Sequence, residues 1–181
     1  AEIAKKARDA DMLVCAGDIS RFEHDIQGAL KRLNSLGKRV LMIPGNHESI
    51  ATIGALAEIY GATNLHGYSI YLGDVGIFGA GSANIGIFQL SDAELLDLLK
   101  RGFEKIKNKK KKIMVTHIHP SKSLPEKISG FPGSKAVTQA IKQLKPDIAI
   151  CSHVHEAEGI EDKIGNTKLF VVGKEGKTIE I

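Results

Sequence analysis

The stretch Arg39-Val40-Leu41-Met42-Ile43-Pro44-Gly45-Asn46-His47-Glu48 decides how the rest of the chain is read. Val40 to Ile43 is apolar without alternation, the pattern of a short strand buried on both faces of a parallel sheet. Pro44-Gly45 ends that strand, because proline withholds a backbone donor and glycine favours a turn. Three polar side chains follow at once: a carboxamide, an imidazole and a carboxylate. In open α/β sheets the carboxyl ends of the strands are where ligands bind.

The same order occurs three more times. Met12–Ala16 is followed by Gly17-Asp18, Ile113–Thr116 by His117-Ile118-His119, and Ile148–Ser152 by His153-Val154-His155-Glu156. Four apolar strands thus end on Asp18, Asn46, His117 and His153. Amphipathic stretches separate them. Phe22, Ile26, Ala29, Leu30 and Leu33 keep helical spacing up to Gly37, and Ser49 to Tyr60 is a helix stopped by Gly61. Ser91 and Glu94 form a capping box before Leu95, Leu98, Leu99, Phe103 and Ile106, and Ser134–Leu144 is a helix halted by Pro146. Ser69–Leu72 and Val75–Gly79 predict a hairpin turning at Gly73-Asp74. Lys168–Val172 and Lys177–Ile181 predict two final strands around Glu175-Gly176. Strands alternating with helices, plus hairpins, mean an α/β fold with a mixed sheet or two packed sheets. No repeat or linker interrupts it, so residues 1–181 read as a single domain.

Composition narrows the function classes. The chain has 181 residues, 43% hydrophobic and 25% charged, enough to bury a core without staples. Its two cysteines, Cys15 and Cys151, match no disulfide framework or zinc ribbon and read as small buried hydrophobes. No apolar run approaches the roughly 18 residues of a membrane span, and no basic-then-apolar leader is present. The expectation is a cytoplasmic protein with no membrane partner. The net charge is +4, and much of the excess lies in Lys105, Lys107 and Lys109 to Lys112. That run contains no aromatic residue to stack bases, so nucleic acid is a possible but not a favoured partner.

The strand-end residues make chemical sense as a set. One carboxylate, one carboxamide and three imidazoles form a mixed N/O donor set suited to Mn, Fe, Ni, Co or Zn, without the thiolates of structural zinc sites. His153 and His155 share a face if that segment is extended. An aspartate can bridge two cations, and paired metals are a known device for phosphoryl transfer. Each piece alone has an ordinary structural reading: Gly73-Asp74 is a hairpin turn, and Asn46 or Ser49 could simply cap a helix. Occurring jointly, in order and at strand ends, they point to one metal site.

Gly17-Asp18, Gly45-Asn46-His47-Glu48, His117 and Ser152-His153-Val154-His155 resemble four of the five signatures of the calcineurin-like metallophosphoesterases. Gly133-Ser134-Lys135, 151–158 and Ile164-Gly165-Asn166-Thr167 are similar to the small prokaryotic Icc-related phosphoesterases. The resemblance implies a four-layer α/β/β/α sandwich and two divalent transition metal ions. It implies that Asp18 bridges them, that Asn46, His117 and His153 complete one site, and that His155 contributes to the other. It further implies that His47 stabilises charge or protonates the leaving oxygen, that Glu48 orients His47, and that a hydroxide bound to both metals attacks phosphorus in line.

Departures from the family pattern sharpen the expectations. The first signature, an Asp-x-His on a strand, is absent; Asp9 and Asp11 lack a following His. The chain opens at Ala1 in a helical stretch, so the first strand is expected to lie in roughly 10–20 residues upstream. Ser152 stands where the family has Gly, no Asn-Pro-Gly follows Thr167, and His119 is additional, a candidate outer-shell or substrate-facing imidazole. His24 and His66 read as structural or surface residues. The expected activity is metal-dependent hydrolysis of a small phosphoester, a phosphodiester before a monoester, with manganese among the candidate metals. Two alternatives stay open: a nuclease-type member acting on nucleic acid, and a catalytically silent metal-binding or interaction domain. Oligomeric state is not encoded in any pattern of the sequence.

Overall fold

The computed structural model describes residues 2–20, 31 and 34–181. The helix expected over 22–33, with His24 on it, falls outside them apart from residue 31. Three parallel strands, β1 (Met12–Cys15), β2 (Arg39–Met42) and β3 (Thr63–Asn64), form one sheet in the order β1-β2-β3. A second sheet has six strands: β4 (Tyr68–Leu72), β5 (Val75–Ala80), β6 (Lys111–Thr116), β7 (Ile148–Cys151), β8 (Glu161–Ile164) and β9 (Thr167–Val171), ordered β4-β5-β6-β7-β9-β8. Its inner pairs β5·β6, β6·β7 and β7·β9 are parallel, and antiparallel hairpins close both edges.

The period-two alternation of strands sorts side chains into layers. On β2, Val40 and Met42 pack against Ile53, Leu56 and Ala57 of α2 (Ile50–Tyr60), while Leu41 faces the other sheet. On β6, Ile113 and Val115 meet Leu41, Ile43 and Leu65 between the sheets; Met114 turns outward. On β7, Ile148 and Ile150 join the inter-sheet core, and Ala149 and Cys151 face outward. That outer face is covered by Leu95 and Leu99 of α3 (Asp92–Glu104) and by Val137, Ala140 and Ile141 of α5 (Lys135–Leu144). The result is the expected α/β/β/α sandwich.

Local signals explain the boundaries. Ser49 accepts the Thr52 N–H to open α2, and Gly61 closes it at φ +63°, where a side chain would be strained. Ser91 and Glu94 form the reciprocal capping box at α3. The described residues also include two short helices, α1 (Glu2–Lys6) and α4 (Leu124–Ser129), and a 3₁₀ turn at His155–Ala157. At the three-stranded sheet's end, Met12 to Cys15 are only half-buried, and among the described residues no strand pairs with the second edge of β1.

One expectation fails. Lys177–Ile181 is not a strand; β9 pairs instead with Glu161–Ile164 through the two-residue turn Gly165-Asn166. Lys177–Ile181 alternates in polarity and Glu161–Ile164 does not, but the tighter connection brings its strand alongside at less entropic cost. The tail runs over the surface, where Lys177 pairs with Glu161 and lies over the Phe170 ring.

The loop after β5 is tied to the loop after β2. Gly81 lies so close to Pro44 that a Cβ would overlap the Pro44 carbonyl oxygen, which accepts the Ser82 N–H at 2.8 Å. Buried His66 accepts the Gly81 N–H at 3.1 Å through Nδ1. Burial, with the nearby Arg101 charge, pushes the His66 imidazole down to about 4. The folded state therefore binds fewer protons than the unfolded state between that value and the ordinary value near 6.5. Stability is fully held above that window and falls as pH drops through it, by about 3 kcal/mol for this group. Urea unfolding from pH 7 to pH 4 should show this contribution, and His66→Gln, which can accept without titrating, should make the pH dependence shallower.

Candidate metal centre

Both sheets aim the carboxyl ends of their parallel strands at one point. Leaving β1, Gly17 (φ +91°) and Asp18 (φ +50°) turn the chain sharply. A Cβ on Gly17 would sit 2.5 Å from His117 Nδ1 and 2.7 Å from the Gly45 Cα, so glycine is what lets three loops converge. A Cβ on Gly45 would overlap Asp18 Oδ1. From the second sheet, His117 follows β6 and His153, at φ +71°, follows β7.

The four side chains meet in a knot of acceptors. His117 Nε2 lies 3.1 Å from Asn46 Oδ1 and 3.3 Å from Asp18 Oδ2. His153 Nδ1 lies 3.0 Å from the same Asn46 oxygen and 3.2 Å from His117 Nε2. The metal-binding atoms of Asp18, His117 and His153 all fall within 4.8 Å of one another. His117 Nδ1 donates to the Ala16 carbonyl at 2.7 Å, so in the neutral ring Nε2 presents a lone pair to this knot. A carboxylate oxygen, an amide oxygen and an imidazole lone pair facing each other repel unless a cation or proton sits among them. The donor types and their convergence fit a divalent transition metal.

The electrostatics agree. Burial pulls the Asp18 carboxyl upward, but the hydrogen bond and charge of His117, with His47 beside it, hold it below its ordinary value. Burial and the His117 charge push His153 down to about 4, against the opposing pull of Asp18. An ionised carboxylate and a neutral imidazole are the ligating forms.

Glu48 holds the loops in place. It is fully buried, and its oxygens accept from the Asp18 N–H (3.0 Å), the Ser20 N–H (2.8 Å), the Ser20 hydroxyl (2.7 Å) and the Gly45 N–H (2.9 Å). Among the described residues these bonds bind the β1 and β2 loops to each other; none runs to the His47 ring. His47 is positioned by its backbone N–H on Asp18 Oδ1 at 3.3 Å and by Nδ1–H donating to the Ser20 carbonyl at 3.3 Å. Ser20 and Ala16 were not legible as site residues in the sequence, because their contributions are a hydroxyl and main-chain groups in a loop with no motif of its own.

Two predicted residues stand apart. His155 is exposed and pairs with Glu158 at 2.7 Å, outside the three-residue cluster. His119 is buried; its Nε2–H donates to the Phe131 carbonyl at 3.1 Å, and its Nδ1 has no partner among the described residues. Burial lowers its pKa. The lysine run lies at the other end of the molecule, since Lys111 begins the strand that His117 follows. Lys110 pairs with Asp74, and Lys109 lies 4.0 Å over the Tyr71 ring, an aromatic neighbour supplied by β4.

A calcineurin-like phosphoesterase family model matches residues 1–157. The chain belongs to the calcineurin-like phosphoesterase family. Its group of Asp18, His117 and His153, which could hold a metal ion, accords with that family's metal dependence, and membership supports a metal-dependent phosphoesterase in general. The fold is similar to that of TT1561 of Thermus thermophilus, at 18% identity and a TM-score of 0.75 over 96% of this chain and 82% of that one. It is also similar to the Thermus thermophilus sulfate thiohydrolase SoxB in complex with glycerol, at 10% identity and a TM-score of 0.61 over 97% of this chain and 37% of that one. Comparison with curated proteins gave no match. Among the described residues no helix of this phosphoesterase is long and apolar enough to cross a membrane.

The clamp role of Glu48 is open to direct test. Glu48→Gln keeps the shape but turns an NH₂ group toward backbone donors, leaving buried N–H groups unpaired. Urea denaturation should find this variant about 3 kcal/mol less stable than the parent.

Proposed function

We propose that this calcineurin-like phosphoesterase hydrolyses a small phosphodiester, in preference to a monoester, with two divalent transition metals as its working cofactors. The convergence of metal-ligating atoms from Asp18, Asn46, His117 and His153 carries this reading, because a divalent cation among them relieves their mutual repulsion. Bound cations would supply Lewis acidity toward the phosphoryl oxygens and activate water, with manganese one of several metals that suit the donors. Asp18 is the residue able to serve both ions, and His155, two residues beyond His153, is the candidate ligand for the second.

The chain's own groups then have separate tasks. Glu48 keeps the Asp18 and Gly45 loops at fixed separation, so the donors do not have to reorganise when the substrate arrives. His47, anchored through Nδ1–H on the Ser20 carbonyl, turns its Nε2 edge to the leaving oxygen and, in the protonated ring, donates the proton that oxygen takes up.

A nuclease reading gains no support from the lysine run. Six residues of β6 span about 20 Å, so a strand's full length separates Lys111 from His117. A catalytically silent domain would keep the metal and lose turnover.

Elemental analysis and kinetics distinguish these readings. Asp18→Ala should lose transition metal relative to the parent; undiminished metal content overturns the bridging role. His47→Ala should retain metal while its kcat toward an aryl phosphodiester falls about 100-fold or more, the usual contribution of a general acid. Equal turnover in that variant would remove His47 from the chemistry.

A further inference from the structure

The loop after β5 brings the backbone of its tip against the candidate metal centre. Its stem is closed by the Ser82 hydroxyl on the Phe88 carbonyl and by the Leu90 N–H on the Ala83 carbonyl at 3.2 Å. Its tip, residues 84–87, is exposed, with Ile85 50% and Ile87 76% accessible. Between them Gly86, at φ +98°, lies so close to Asn46 that a Cβ there would sit 3.3 Å from the Asn46 Cβ. The backbone of this tip therefore rests on one of the candidate metal ligands.

A second apolar segment adjoins it. The Asn84 amide donates to the Pro132 carbonyl at 3.4 Å, joining the tip to the loop 130–133. Phe131 on that loop is 46% exposed, and its carbonyl is held by His119, two residues beyond His117. Neither 82–90 nor 128–134 contains a charged residue. Exposed Ile85, Ile87 and Phe131 are thus carried on two joined, uncharged segments, one resting on Asn46 and the other held by His119. Neither segment offers the lysines or arginines that suit a polyanionic substrate, and the lysine run lies at the far end of β6.

We infer that Ile85, Ile87 and Phe131 form a specificity rim that receives an apolar, aryl or alkyl, ester group of the phosphoester. The inference rests on the phosphoesterase reading above and names the organic part of its substrate. The rim contributes by taking that group out of water while phosphorus sits at the metal ligands, so it sorts substrates by the size and polarity of an ester group the reaction leaves in place.

The test compares methyl 4-nitrophenyl phosphate with phenyl 4-nitrophenyl phosphate on the full-length, Mn²⁺-loaded protein. Water adds to phosphorus and 4-nitrophenolate leaves in both, so only the retained ester group differs. The phenyl ester should show a kcat/KM about tenfold or more above the methyl ester. Ile87→Ser and Phe131→Ser should bring that ratio close to one, and Ile59→Ser, on the exposed side of α2, should leave it unchanged. Equal values for the two esters in the parent, or a ratio insensitive to both rim variants, overturn the rim.

Calorimetric binding of phenylphosphonate and methylphosphonate to the same proteins separates the two levels of inference. If neither diester is turned over but phenylphosphonate binds more tightly in a manner lost in the rim variants, the rim stands and the phosphodiesterase reading falls. If both phosphonates bind alike, the rim falls. A parent dimer in sedimentation that Ile87→Ser or Phe131→Ser dissociates would make this face an interface between copies and would likewise overturn it.

Discussion

The whole site hangs on one buried anion. The Glu48 carboxylate has no contact with solvent, and a charge so placed is tolerated only when its lone pairs are answered. Here four donors from Gly45, Asp18 and Ser20 answer them. Because two of those residues follow β1 and one follows β2, the bonding that solvates Glu48 also sets the distance between the two loops. Asp18 and Asn46 inherit that distance. The arrangement is directional, since backbone N–H groups of these loops cannot be satisfied by water once the loops are packed.

The second sheet contributes by a different route. His117 and His153 are delivered by parallel strands whose alternate side chains are locked on one side by α3 and α5 and on the other by the three-stranded sheet. Their placement is a consequence of core packing. Close approach at Gly17 and Gly45 then allows the two sets of loops to interpenetrate without side chains between them. Polar convergence on one side and apolar packing on the other meet at a point where acceptors outnumber protons. That imbalance is the physical content of a cation site.

Much of this was legible from residue order. The buried strands around Val40, Val115 and Ile150, the Ser49 and Ser91 caps, and the hairpin at Gly73-Asp74 all appear as local pattern requires. So does the convergence of Asp18, Asn46, His117 and His153. The failure at Lys177–Ile181 is instructive, because alternation marks a segment that could be a strand and says nothing about which neighbour it pairs with. The Lys109–Tyr71 contact was equally invisible, since the aromatic residue comes from an adjacent strand distant in sequence.

The sequence by itself determined the kinds of chemistry this phosphoesterase carries and the strand ends that carry them, because residue type and hydrophobic period are local properties. Only the tertiary structure decided what each group faces. It made Glu48 a clamp between loops, left His155 exposed against Glu158, and buried His119 against the Phe131 carbonyl. It also set the uncharged tip at Gly86 upon Asn46. Those outcomes depend on how two sheets pack and how closely loops approach, and packing is a relation between distant segments that no single stretch of residues contains.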